Sequence, residues 1–189
     1  SDGATTRAFC YISDAITGFF KVLLNGESAT AYNVGSDVEI SIPCSSGGAF
    51  SIMLQAFEQK YGQKIVTNKG LASMGYGLSG AIGASIANPD ARVVLVEGDG
   101  GFAQNMQEIG TAAINNCNLK IFIFDDNGYA SIRMTQRTYF KGDYVGCDID
   151  TGLGLPNWEI LFKAWGVTAM SIDKNTFDSN AYIEEFNKE

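Results

Sequence analysis

Along most of this chain, hydrophobic and polar positions follow two rhythms in turn. Residues 92–97 carry a solid Val-Val-Leu-Val block, and residues 120–124 run Lys-Ile-Phe-Ile-Phe. Apolar runs this short, rich in β-branched and aromatic side chains, predict strands buried on both faces. Residues 65–68 and 167–172 predict two further short strands. Between them, apolar positions recur at three- and four-residue spacing, which predicts helices over 49–61, 76–87, 105–114, 158–165 and 180–187. Asn88-Pro89 stops the second of these. The opening of the chain repeats the pattern on a smaller scale, with a strand at 8–12 and a helix N-cap at Ser13-Asp14. An apolar stripe of Ile16, Phe19, Phe20, Leu23 and Leu24 follows, closed by Asn25-Gly26, and extended pieces are expected at 31–34 and 38–42 around Gly35. Strands alternating with helices predict an α/β fold, three layers deep (α/β/α) around a mostly parallel sheet, with a small N-terminal α/β fragment.

Composition narrows the chemistry. The 189 residues are 46% hydrophobic and 18% charged, enough to bury a core. Thirteen Lys and Arg against 21 Asp and Glu leave a net charge of −8, which argues against nucleic acid or an anionic membrane as partner. There is no histidine. That excludes from this chain Ser-His-Asp and Cys-His catalysis, imidazole general bases and His-containing zinc sites. Cys10, Cys44, Cys117 and Cys147 are widely spaced, with no C-x-x-C pair, and are expected to be free thiols in a reducing compartment. No apolar run approaches the ~18 residues of a membrane span, so a cytoplasmic protein is expected.

In parallel α/β sheets, ligands bind beyond the carboxyl ends of the strands. Two strands end in acidic, glycine-containing turns: Glu97-Gly98-Asp99-Gly100-Gly101 and Asp125-Asp126-Asn127-Gly128-Tyr129. If the strands are neighbours, Asp99 and Asp126 meet at one edge of the sheet. Two carboxylates and glycine-turn carbonyls suit a hard, oxygen-seeking cation such as Mg²⁺. Gly98, Gly100 and Gly101 let backbone approach a ligand, and the helix start that follows offers N–H groups to a phosphate. Either turn alone would be an ordinary acidic strand cap; the pair at matching strand ends points to a metal-diphosphate site.

These residues carry a resemblance. Gly98-Asp99-Gly100, then a spacer, then Asp125-Asp126-Asn127-Gly128-Tyr129, is similar to the thiamine-diphosphate motif, G-D-G followed about two dozen residues later by N-N. The run from Gly70 to Gly83, Gly-Leu-Ala-Ser-Met-Gly-Tyr-Gly-Leu-Ser-Gly-Ala-Ile-Gly, resembles a matching run of acetolactate synthases, and Phe102 to Ile109 follows the same family. The resemblance implies a pyrophosphate-binding domain over 43–189, completed by further chain in the family. It makes Asp99, Asp126 and the Gly128 carbonyl metal ligands, and brings the backbone around Ala72 and Met74 to the aminopyrimidine. Ser46, Gly47, Gly98, Gly100 and Gly101 would lie by the diphosphate. Asp126 departs from the family, which usually has Asn there. The implied cofactors are thiamine diphosphate and Mg²⁺, and the implied parent reaction is decarboxylation or carboligation of a 2-oxo acid. The implied partner is a second subunit or domain whose glutamate activates the cofactor, so no residue of this chain is assigned a catalytic role. Trp158, Trp165 and Tyr139-Phe140 are candidates for the partner face, with core packing as the alternative.

Two other signals compete. Gly75-Tyr76-Gly77-Leu78-Ser79-Gly80 is a literal G-x-G-x-x-G with Glu97 ending a strand 17 residues later. A Rossmann fingerprint follows its strand directly, whereas Lys69 to Met74 intervene here. Small residues that let a helix pack closely explain the same glycines. Residues 2–14, Asp-Gly-Ala-Thr-Thr-Arg-Ala-Phe-Cys-Tyr-Ile-Ser-Asp, resemble the C-terminal part of NAD-dependent nucleotide-sugar epimerases and dehydratases, a likeness that extends to about residue 42. It places Arg7 near a nucleotide diphosphate, but Tyr11 lacks the catalytic lysine partner. The expected organisation is therefore an epimerase-like segment at 1–42 joined to a thiamine-diphosphate domain at 43–189. A nucleotide-sugar-binding remnant or a non-functional fusion is the alternative.

Overall fold

The computed structural model describes residues 39–43, 46–60, 62–68, 70–174, 176–177 and 181–187. The strand, helix stripe and extended piece expected before residue 38, with the epimerase-like motif and Arg7, lie outside the described residues. Four strands form one parallel sheet in the order β2-β1-β3-β4: β1 (Glu39–Pro43), β2 (Lys64–Ile65), β3 (Arg92–Gly98) and β4 (Leu119–Phe124). Register runs from Glu39 opposite Arg92 to Pro43 opposite Val96, and from Val93 opposite Leu119 to Gly98 opposite Phe124. The carboxyl ends of β1, β3 and β4 therefore come out together at one edge. The chain builds outward from β1 to β2, then crosses back to place β3 on the other side of β1. The gap between β1 and β3 is a topological switch point, where such sheets open a crevice.

Val93, Val94, Leu95 and Val96 are wholly buried, because helices cover both faces of the sheet. Val93 and Leu95 meet Leu78, Ala81 and Ile82 of the helix Tyr76–Ala87 (α2), in a layer that also takes Ile42, Phe102, Ile109 and Phe162. Val94 and Val96 face the other way, onto Met53 of the helix Gly47–Ala56 (α1) and onto Phe57. Each such side chain contributes roughly 1.5–3 kcal/mol by leaving water. The three-layer expectation holds, and the described sheet starts at residue 39, so the piece expected at 38–42 is a central strand.

Local departures have local causes. The predicted 105–114 helix is split into a 3-10 turn Met106–Glu108 and a helix Ile109–Ile114 (α4), preceded by the short helix Asp99–Ala103 (α3). Asn105 breaks the run: its φ of −144° is not helical, and its amide is committed to Gly75 and Ser79. The helix Ala130–Tyr139 (α5) was not expected, since none of its residues is buried and no apolar stripe marks it. The expected strand at 167–172 is a correction: that segment is not a strand. Its Val167 N–H donates to the Phe162 carbonyl at the end of the helix Trp158–Ala164 (α6), and its Ser171 N–H donates to the Glu159 carboxylate, so these groups serve a helix end and a side chain instead of a ladder. The helix Ala181–Asn187 (α7) brings Phe186 against Phe122. Among the described residues no helix is long and apolar enough to cross a membrane.

Candidate functional site

The site is built where β3 and β4 end. β3 runs straight into Gly98, and α3 begins at Asp99, so the Asp99 side chain is fixed by a strand on one side and a helix on the other. It is 2% exposed. Its Oδ1 accepts from the Gly100 N–H at 2.7 Å, and its Oδ2 accepts from the Gly128 N–H at 2.8 Å. That second bond spans 29 residues and joins the two acidic turns, as the sequence required of neighbouring strands. Burial pushes the Asp99 carboxyl up to about 6, against the lowering pull of the Gly128 and Gly100 N–H groups; the Asp126 charge and nearby Asp125 push it further up.

Two glycines here are steric necessities. A Cβ at Gly100 would lie 2.3 Å from the Tyr129 ring, and one at Gly128 would lie 2.2 Å from the Cys147 carbonyl oxygen. Gly128 also has φ +137°, a region few other residues enter. Tyr129 thus covers Gly100, and its hydroxyl accepts from Gln104 Nε2 at 2.9 Å. By contrast, a Cβ at Gly47, Gly48 or Gly98 would meet nothing within 4 Å among the described residues. The Ser46-Gly47 pair opens α1 just after β1, beside the same switch point.

Ala72 and Met74 lie in the loop before α2. Ala72 takes φ +51°, unusual for a residue with a Cβ, and its N–H donates to the Asn68 carbonyl. Asn105 Nδ2 donates to the Gly75 carbonyl and to Ser79 Oγ, so this loop is tied to the segment following α3. Asp126 lies on the second turn, close enough for its charge to act on Asp99. It is exposed, and its Oδ1 pairs with Arg133 Nη2 at 2.9 Å.

Sequence reasoning missed four residues. Arg133 holds the second turn, and Tyr129 roofs the first. Asp125 stands close enough to Asp99 to help push its carboxyl up. Glu97, 2% exposed, lies where a Cβ at Gly77 or Gly101 would come within 2.2 and 2.5 Å of its carboxylate oxygens. The G-x-G-x-x-G glycine Gly77 is therefore a packing contact for Glu97, which accounts for the Rossmann-like spacing. Position could have flagged Arg133: Arg133 N–H donates to the Tyr129 carbonyl, one helical turn from the DDNGY segment.

Oxygen ligands, glycine backbone and a helix start at a switch point are the constituents of a metal-diphosphate site. The family description "Thiamine pyrophosphate enzyme, C-terminal TPP binding domain" matches residues 46–189. The chain belongs to this family. A probable acetolactate synthase large subunit from Methanococcus aeolicus is 32% identical over 135 residues, covering 71% of this chain and 22% of the relative. Acetolactate synthase isozyme 2 large subunit of Escherichia coli (strain K12) is 32% identical over 112 residues, covering 59% and 20%. The chain thus spans about a fifth of the curated relatives it matches. Among solved structures, a Rhodococcus jostii RHA1 thiamine diphosphate-dependent 4-hydroxybenzoylformate decarboxylase superposes with a TM-score of 0.61 at 19% identity, over 82% of this chain and 32% of that one. That likeness supports the fold. The chain is a TPP-binding C-terminal domain homologous to acetolactate synthase large subunits.

Proposed function

We propose that this domain binds the diphosphate of thiamine diphosphate through Mg²⁺, as part of a larger 2-oxo acid decarboxylase or carboligase. The observation that carries this reading is the Asp99–Gly128 hydrogen bond, which brings the two acidic turns together beyond the carboxyl ends of the neighbouring strands β3 and β4. The donor set fits a hard cation: the Asp99 and Asp126 carboxylates with the Gly128 carbonyl, all oxygen. Among the described residues no three Asp, Glu, Cys or His side chains converge into a ready-made cage. Such a metal therefore needs diphosphate oxygens and water to complete its shell, which makes metal and cofactor interdependent ligands. Ser46, Gly47 and Gly98 offer close backbone approach to the diphosphate, whereas Gly100 and Gly101, expected beside it, are covered by Tyr129 and Glu97 and serve the packing of the turn; the Ala72–Met74 loop offers backbone to the aminopyrimidine.

When bound, thiamine diphosphate supplies the electron sink needed to break a carbon–carbon bond beside a carbonyl. This chain's own residues hold and orient it. A second subunit or domain is proposed to supply the activating carboxylate. Tyr139, Phe140 and Trp165 are exposed enough to meet such a partner, although Trp165 also rests on Gly110, whereas Trp158 packs edge-on against Phe102 at 5.5 Å. The proposed unit begins at residue 39 and not at 43, because Glu39–Pro43 is a central strand of its sheet, and the epimerase-like segment is confined to the residues before it.

The test is a calorimetric titration of thiamine diphosphate into the chain, with and without Mg²⁺, against Asp99→Asn and Asp99→Ala. Binding that requires Mg²⁺ and is lost in both variants is expected. Binding of equal strength without metal, or unchanged in the folded variants, overturns the reading.

A further inference from the structure

Arg133 is engaged more extensively than surface charge needs. Its Nη2 donates to the Asp126 carbonyl at 2.9 Å and pairs with Asp126 Oδ1 at 2.9 Å, while Nη1 donates to the Cys147 carbonyl at 3.1 Å and the Asn127 carbonyl at 3.3 Å. The Cys147 carbonyl also accepts from the Tyr129 N–H at 2.8 Å. One guanidinium therefore spans the whole Asp126-Asn127 turn and ties it to the chain returning at Cys147. A planar five-donor fork can do this, and an ammonium cannot. Two residues of that turn sit at positive φ, Asn127 at +61° and Gly128 at +137°, so its shape is not one the backbone adopts unaided.

Charge is the second part of the argument. Three carboxylates lie on the two turns: Asp99, Asp125 and Asp126. A diphosphate is a polyanion, and a third carboxylate beside it repels it unless a cation stands close. Among the described residues the cation that meets these turns is Arg133, and it is paired with Asp126. The Arg133 side chain is only 23% exposed, against 48% for Asp126, so solvent screens this charge less than it screens a free surface lysine.

We propose that Arg133 is a charge-offsetting residue of the diphosphate site: it neutralises Asp126, so that an anionic cofactor is accepted beside that carboxylate. This rests on the diphosphate reading above. Its two consequences have opposite signs. A bare divalent cation competes with the guanidinium for Asp126, so removing the Arg133 charge leaves metal alone bound as tightly or more tightly. The diphosphate loses a favourable charge, so the cofactor binds more weakly.

The test uses the full chain, wild type and the variants Arg133→Gln, Arg133→Lys, Asp126→Asn and the Asp126→Asn/Arg133→Gln double, each checked for cooperative melting. Mn²⁺ alone is titrated by its electron paramagnetic resonance signal, and thiamine diphosphate in saturating Mg²⁺ by calorimetry. Arg133→Gln is expected to weaken cofactor binding by about tenfold without weakening Mn²⁺, the size expected of one nearby unit charge at partly screened distance. Arg133→Lys keeps the charge and is expected to keep most of the cofactor affinity. In the Asp126→Asn background, Arg133→Gln is expected to cost about threefold or less, because the charge it offset is gone. Equal weakening of Mn²⁺ and cofactor by Arg133→Gln overturns the proposal and leaves a purely structural arginine. So does a lysine variant no better than glutamine, or a double variant in which the two losses simply add. A wild-type chain that binds no thiamine diphosphate at any Mg²⁺ concentration shows instead that the diphosphate reading has failed, and the proposal with it.

Discussion

The two acidic turns reach the same edge of the sheet but are supported in different ways. The turn after β3 is set into the core: Asp99 is buried, Glu97 lies between the close approaches of Gly77 and Gly101, and the wholly buried strand Val93–Val96 leads into it. The turn after β4 stands outside. Asp125, Asp126 and Asn127 are exposed, α5 beyond them buries none of its residues, and the turn keeps its shape through Arg133, Tyr129 and the Cys147 carbonyl. One turn thus inherits its rigidity from hydrophobic packing, and the other from a hydrogen-bonded strap. Damage to the first should unfold the domain, and damage to the second should spare the fold and cost the ligand.

The largest effect is expected at Gly77. A Cβ there would lie 2.2 Å from Glu97 Oε2 and 3.0 Å from Leu95 Cδ1, both on buried side chains that would have to move within the core. Gly77→Ala should destabilise by about 2–3 kcal/mol and lower the melting temperature by about 5–10 °C. An unchanged melting temperature would mean that the buried half is looser than its packing shows. Gly128→Ala strains φ +137° and pushes into the Cys147 carbonyl, yet the turn is peripheral. It should cost about 1–2 kcal/mol of stability while displacing the Gly128 N–H from Asp99 and greatly weakening Mg²⁺-dependent cofactor binding. If Gly128→Ala unfolds the chain as severely as Gly77→Ala, the contrast between the turns is void.

The next effect is a pH dependence. Asp99 titrates near 6 in the folded chain against an ordinary 3.8, so the folded state holds this proton more tightly than the unfolded state. Its contribution is therefore least favourable above about pH 6 and improves as the pH falls through 6 toward 4, by on the order of 2 kcal/mol. In metal-free buffer, the melting temperature of the wild type relative to Asp99→Asn should rise across that interval; a flat or falling difference contradicts it. The smallest effect is expected from Tyr129→Phe. It removes only the exposed bond from Gln104 and should cost about 0.5–1 kcal/mol in chemical denaturation, sharpening the claim that the ring, not the hydroxyl, is what roofs Gly100.

The same contrast explains which parts of the molecule could be read in the sequence. β3 and α2 are legible because close burial leaves a solid apolar run and a small-residue helix, whereas β4, expected to be buried on both faces, is only partly buried at the edge of the described sheet and is legible from its Ile and Phe run alone. The Asp99 turn was legible as the continuation of β3. Arg133 was not, since its role depends on α5 beginning at Ala130 and on the chain returning at Cys147, and an exposed helix leaves no apolar stripe to announce itself. Glu97 was visible only as a strand end; that Gly77 and Gly101 make space for it depends on a contact between segments twenty residues apart in sequence. The strand expected at 167–172 had the right residues, but a strand also needs a partner ladder, and periodicity cannot supply one. Val167 and Ala169 still pack against the core, which is what gave the segment its apolar pattern.

Asn105 has a consequence beyond breaking a helix. Its amide crosses to Gly75 and Ser79, and a Cβ at Gly75 would lie 3.2 Å from the Cβ of Gln104. The loop bearing Ala72 and Met74 and the turn bearing Asp99 are thereby clamped together as two jaws of fixed gauge. If the proposed cofactor touches both, its length is matched against a gap that Asn105 helps to set, and a ligand too short to reach from one to the other would gain only half the hold.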